Sequence, residues 1–169
     1  MLFRSLAGTD STIMTFPSSS ATVAGLGIAQ TFTATQTFSG SSSTASLVLQ
    51  NALETATVSA TAATGTINFD FNTQSVLYYT SNASANWTVN FRFSSGTSLN
   101  TAMATGQSVT AVFLVTQGST AYYNSAVQID GSSVTPKWQG GTAPTAGNAS
   151  GVDVYSYTDR KSTRLNSSH

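Results

Sequence analysis

Asn86-Trp87-Thr88-Val89-Asn90-Phe91-Arg92-Phe93 alternates apolar and polar residues without a break. A strand turns successive side chains to opposite faces, so Trp87, Val89, Phe91 and Phe93 share one side. A helix would scatter the same residues round its circumference. The stretch therefore predicts a half-buried β-strand, and other stretches repeat the pattern. Thr66-Ile67-Asn68-Phe69-Asp70-Phe71-Asn72 places Ile67, Phe69 and Phe71 on one face, and Val152-Asp153-Val154-Tyr155-Ser156-Tyr157 alternates likewise. Residues 55–60 and 76–80 are shorter strand-like runs. Val112-Phe113-Leu114-Val115, inside 108–116, is apolar throughout, as expected of a strand covered on both sides. Ala126-Val127-Gln128-Ile129 and Ser132-Ser133-Val134-Thr135 flank Asp130-Gly131, a dipeptide suited to two-residue hairpins because both positions take positive φ.

Short strands separated by Gly, Ser and Asn turns predict an all-β domain over residues 54–158, an antiparallel β-sandwich of jelly-roll type. Its expected core is Phe69, Phe71, Trp87, Val89, Phe91, Phe113 and Val115. One helical turn is expected within 97–106, a long Gly-rich loop over 137–151, and a short helix or strand over 45–53.

Residues 6–53 differ. They are low in complexity, rich in Ser, Thr, Ala and Gly, and thin in apolar side chains. Gln30-Thr31-Phe32-Thr33-Ala34-Thr35 is followed by Gln36-Thr37-Phe38-Ser39-Gly40, a repeat of period six. One Phe per six residues buries too little to offset the entropy of ordering a lone chain. Three intertwined copies would share a thin core. The segment reads either as a fibrous β shaft that makes the protein a homotrimer, or as a flexible linker.

Both ends carry a foreign signature. The last eleven residues, 159–169, resemble one translated frame of a common short-read sequencing adapter at every position. Met1-Leu2-Phe3-Arg4-Ser5 resembles the reverse complement of the same adapter. Such scars are set aside before fold reasoning, and residues 159–169 are expected to have no packing role. The domain is also expected to lack a final strand downstream. What remains has Arg92 and Lys137 against Asp10, Glu54, Asp70, Asp130 and Asp153, two cations against five acids, for a formal charge of −3. Two cations make no phosphate-tracking stripe, so no nucleic-acid partner is expected. No apolar run approaches the roughly 20 residues of a membrane span.

Three stretches carry a resemblance. Thr57-Val58-Ser59-Ala60-Thr61-Ala62-Ala63-Thr64-Gly65-Thr66-Ile67-Asn68-Phe69-Asp70 resembles a β-rich module of virion structural and tail-fibre-like proteins of marine tailed phages. So do residues 74–92, from Gln74-Ser75-Val76-Leu77-Tyr78-Tyr79 to Val89-Asn90-Phe91-Arg92, and Pro136-Lys137-Trp138-Gln139-Gly140-Gly141. The resemblance implies a structural part of a phage particle, located in the virion. It would be a tail-fibre or fibre-associated domain that meets other virion proteins and a host-surface glycan. The alternative is a secreted bacterial adhesin or carbohydrate-binding module.

Catalysis has few candidates. Outside the adapter-like ends there is no His, and the chain has no Cys, which removes histidine-based triads and thiol nucleophiles. Asp70 and Asp153 lie in strands, Asp130 is accounted for by its turn, and the acids show no metal-loop spacing. No enzyme activity, cofactor or metal is expected. The three Asn-x-Ser/Thr sequons outside the adapter-like ends, at Asn82, Asn86 and Asn148, are no more than this composition produces by chance. Trp87 falls on an apolar face and reads as core. Trp138, between Pro136-Lys137 and Gln139-Gly140, is the candidate surface aromatic, able to stack on a sugar or to anchor its loop. In Tyr78-Tyr79 and Tyr122-Tyr123 one ring of each pair would face outward, and Tyr79 and Tyr122 are taken as further glycan contacts.

Overall fold

The computed structural model describes residues 29, 31–40, 43 and 45–162. The adapter-like residues 1–5 and 163–169, most of the shaft-like segment and Gln30 of its repeat lie outside the described residues. The chain divides into two units, Met1–Asn51 and Ala52–His169. In the first, residues 31–40 are exposed and hold no regular secondary structure. Residues 45–53 are likewise neither helix nor strand, contrary to expectation. Leu53 is 97% exposed, so no buried face exists there to fix an element.

The second unit is nearly all β. In order it comprises β1 (Thr57–Ala62), β2 (Gly65–Asp70), β3 (Val76–Ser81), β4 (Trp87–Arg92), the single turn α1 (Leu99–Ala102), β5 (Ser108–Thr116), β6 (Asn124–Ile129), β7 (Ser132–Val134) and β8 (Val152–Arg160). Residues 137–151 form the expected long loop, broken by one 3-10 turn at Gln139–Gly141.

Two four-stranded sheets result, ordered β1-β3-β5-β8 and β2-β4-β6-β7. The expectation of antiparallel, jelly-roll pairing is corrected here. β1–β3, β3–β5, β2–β4 and β4–β6 are parallel, and only β5–β8 and β6–β7 are antiparallel. From β1 to β6 each strand crosses to the opposite sheet, so the chain returns to a sheet only after a full winding and in the same direction. Parallel neighbours need a long crossover, usually a helix. Here a strand of the other sheet serves instead. The Asp130-Gly131 hairpin then reverses the chain, and β8 closes the first sheet from the opposite direction.

Rings from both sheets meet in one core. Trp87 on β4 lies 6.0 Å from Phe113 on β5 and 5.9 Å from Tyr155 on β8, edge-on to the latter. Phe69, Trp87, Val89, Phe91, Phe113 and Val115 are buried as expected. Phe71 is only partly buried, because β2 ends one residue before it and its ring closes the end of the core against Phe69. Asp70 and Arg92 face each other across β2 and β4 in a two-pronged ion pair of 2.5 and 3.2 Å. The apolar run in β5 is not covered on both sides. Ala111, Phe113 and Val115 point into the core, whereas Val112 and Leu114 are half-buried on the outer face. Val58, Tyr78, Leu114 and Val154 form one register row across that outer face.

β8 runs into the adapter-like segment. Asp159 and Arg160 pair with Val109 and Ser108, and Lys161 donates its N–H to the Gln107 carbonyl. The expectation of no packing role therefore fails for these three residues. Backbone pairing is indifferent to side-chain identity, so β8 continues for as long as β5 offers a partner.

Asp130 does more than make its turn. It sits at φ 50° and Gly131 at φ 80°, the two positive values a tight hairpin needs. Its carboxylate also accepts from the N–H groups of Leu99 (2.7 Å) and Asn100 (3.1 Å), capping α1 from 30 residues away. Asp130→Ala should lower stability by about 2 kcal/mol, combining a lost cap with strain at positive φ. Asp130→Asn should cost less than half of that, since Asn tolerates the same backbone and keeps one acceptor. Urea titrations of both variants test the assignment.

Candidate binding groove beside β8

β8 is the last strand of its sheet, and the opposite sheet ends in β7, only three residues long. The short strand leaves that side open. A groove of about 660 Å³ lies there. One wall is β8, residues 154–160, and the floor includes Phe71 and Phe91. The other wall is the β6–β7 hairpin with Val134, followed by Pro136, Lys137 and Trp138.

Trp138 is half-buried and meets Tyr157 edge-on, with ring centres 5.8 Å apart. It thus anchors its loop while keeping part of its ring open. Tyr157 also packs on Phe91 at 5.1 Å. Beneath them Asn124, buried on β6, links the sheets. Its Oδ1 accepts from the Tyr157 hydroxyl (2.6 Å), its backbone N–H donates to the Tyr155 hydroxyl (3.3 Å), and its Nδ2 donates to the Trp87 and Ala126 carbonyls.

Burial pushes the Tyr157 phenol well above its ordinary value of 10, and the neighbouring Tyr155 adds to the rise. A raised folded value means that the neutral phenol contributes stability fully below pH 10, and that this contribution is lost as the pH climbs beyond it. Stability should therefore fall as the pH rises from about 10 upward, and Tyr157→Phe should flatten part of that fall. Below pH 9 the same variant should cost about 1 kcal/mol for the lost bond to Asn124. Denaturant midpoints across this range measure both.

The other proposed contacts are elsewhere. Tyr79 turns inward, correcting its assignment as an outward ring. It sits in register with buried Val115, its ring lies 5.5 Å from Phe113, and burial raises its phenol above the ordinary range. Tyr78 is the outward member, and its hydroxyl accepts from Thr116 Oγ1. Tyr122 lies in the loop before β6, partly buried against the core, with its backbone held at both ends by the Gln117 side chain. Neither residue lines the groove, so the structure does not bring the three aromatics together.

A second polar cluster sits under the 142–151 loop. Buried Asp153 accepts from Gln117 Nε2 (2.9 Å), Asn148 Nδ2 (2.5 Å) and the Asn148 N–H. Its acceptor capacity goes into docking the loop. Among the described residues no three His, Cys, Asp or Glu side chains converge on a point that could hold a metal. Residue-by-residue reading missed the roles of Asn124 and of the β8 edge. The paired tyrosines of the 152–157 alternation were the only sequence signal near them. No family model, no curated protein and no solved structure matches this chain.

Proposed function

We propose that this chain is a non-catalytic structural component of a tailed-phage particle, a fibre-associated module that binds a neighbour through the β8 groove. The groove carries the binding part of this reading: it is aromatic, lies along an open sheet edge and is unobstructed by the short β7. The particle assignment is supported by the three resembling stretches. They correspond to the β1–β2 winding, the β3–β4 winding and the Trp138 loop. Trimerisation through residues 6–53 belongs to the same reading.

Host-surface glycan binding is the second reading, favoured by the part-exposed Trp138 ring. It is the weaker one, because Trp138 meets Tyr157 edge-on and the two rings make no coplanar platform for a sugar. Antibodies raised against the β domain should label purified particles that encode it, at their fibres. Particles free of the protein by both labelling and peptide mass spectrometry would overturn the assignment. On a glycan array the chain should give no signal that Trp138→Ala removes, and such a signal would favour the second reading.

A further inference from the structure

We propose that Asp130-Gly131 is a chemical modification site, a spontaneous conversion of aspartate to isoaspartate that the fold latches shut. It is the one place in the chain where Asp or Asn precedes Gly. Gly has no Cβ, so no side chain shields its backbone nitrogen. That nitrogen can attack Cγ of the preceding Asp. A C–N bond forms, and one carboxyl oxygen leaves as water with the nitrogen's proton and the acid's own. The product is a five-membered succinimide. Water then adds back to one of the two ring carbonyls. Addition at Cγ restores Asp. Addition at the main-chain carbonyl breaks the original peptide bond and leaves the chain running through Cβ and Cγ. One water leaves and one returns, so isoaspartate has the mass of the starting residue, and water is the only co-reactant.

The structure restrains both reacting groups. The Gly131 N–H donates to Asn90 Oδ1 at 2.8 Å. Asn90 is buried and is fixed in turn by donating from Nδ2 to Asn68 Oδ1 at 2.9 Å. The carboxylate of Asp130 is held toward α1, where it accepts from the Leu99 and Asn100 N–H groups at 2.7 and 3.1 Å. The Asp130 N–H donates to the Phe91 carbonyl at 2.9 Å, which fixes the turn from its other side. Ring closure needs the carboxyl carbon to turn onto the Gly131 nitrogen, and that nitrogen to release its proton. Neither happens while the bonds to α1 and Asn90 stand. The rate is therefore set by how often the hairpin opens locally.

The product makes the opening one-way. Isoaspartate adds a carbon to the main chain of a two-residue turn and leaves the free carboxylate on Cα. The pair of positive φ values at 130 and 131, 50° and 80°, and the cap on α1 both depend on the original linkage. The hairpin thus records the time a chain has spent open. This inference is independent of what the β8 groove binds.

To test it, the full chain is aged in neutral buffer, folded and in guanidinium chloride. It is then digested with a protease that cleaves before Asp and not before isoaspartate. Resistance at Asp130, in a peptide of unaltered mass, measures conversion. Asp70 and Asp153, followed by the bulky Phe71 and Val154, should stay cleavable. The folded chain should convert at least about tenfold more slowly than the unfolded one. Asn90→Ala, which frees the Gly131 N–H, should raise the folded rate several-fold. Gly147→Ala, which loosens the 142–151 loop instead, should raise it less. Equal conversion in the folded and unfolded chains would overturn the proposal, as would an Asn90→Ala rate no greater than that of Gly147→Ala. Where Asn90→Ala fails to fold, hydrogen exchange on the unaltered chain decides. The Gly131 N–H should exchange at least about tenfold more slowly than in a free peptide, and unprotected exchange there would overturn the latch.

Discussion

Phe91→Ala should destabilise the fold by about 3–5 kcal/mol. Phe91 is 4% exposed on β4, a strand flanked on both sides by β2 and β6. Its ring lies 5.5 Å from Phe69, 6.0 Å from Phe71 and 5.1 Å from Tyr157. Removing it takes away buried apolar area and leaves a cavity. The surroundings cannot collapse to fill it, since Tyr157 is held by Asn124 and Phe69 by the β2–β4 register. The cavity would also open into the β8 groove, admitting water beside rings that offer it few hydrogen bonds. Chemical denaturation should show a shifted midpoint with little change in slope. A loss below about 1 kcal/mol would mean that the groove floor is not packed as described.

Gly147→Ala should be comparably severe, at about 3–5 kcal/mol, for a different reason. A Cβ at Gly147 would lie 2.2 Å from the Tyr122 carbonyl oxygen and 2.6 Å from Asp153 Oδ2. The first of these is backbone, so it cannot swing aside as the tip of a long side chain would. The loop must lift, and Asn148 then withdraws its donors from Asp153. A buried carboxylate short of donors is costly because no solvent replaces them. Asp153→Asn in the Gly147→Ala background should recover part of the loss, because a neutral amide is cheaper to leave under-bonded. Thermal melts of the two variants and their combination test this, and additive effects would show the two residues to be uncoupled.

Local alternation determined much of this fold. The strands at 66–71 and 86–93 with inward Ile67, Phe69, Trp87, Val89 and Phe91, the strand at 152–157 and the Asp130-Gly131 hairpin follow from period and turn chemistry in the chain itself. The phase of 152–157 does not: Asp153 and Tyr155 are buried, whereas Val152 and Val154 are exposed. Which strand lies beside which does not follow either. A period of two is the same for a parallel and an antiparallel neighbour, and for a strand that stays in its sheet or crosses to the other. The two-residue connection Ala63-Thr64 reads like a hairpin, yet it carries the chain from one sheet to the opposite one. The winding of β1 to β6 was therefore decided by packing, where Trp87, Phe113 and Tyr155 meet between the sheets.

The candidate site was legible only in part. Trp138 stood out because a bulky ring beside Pro136 and Gly140 has no alternating face to occupy. Tyr79 was misjudged because adjacent tyrosines in a strand differ only in phase, and phase is set by the register of β3 on β5. Asn124 looked like one of many amides, and its link to two tyrosines depends on β8 arriving over β6. The groove itself exists because β7 stops after three residues while β8 runs for nine. Side-chain pattern is a property of the chain, whereas an open edge is a property of which strands end up without a neighbour.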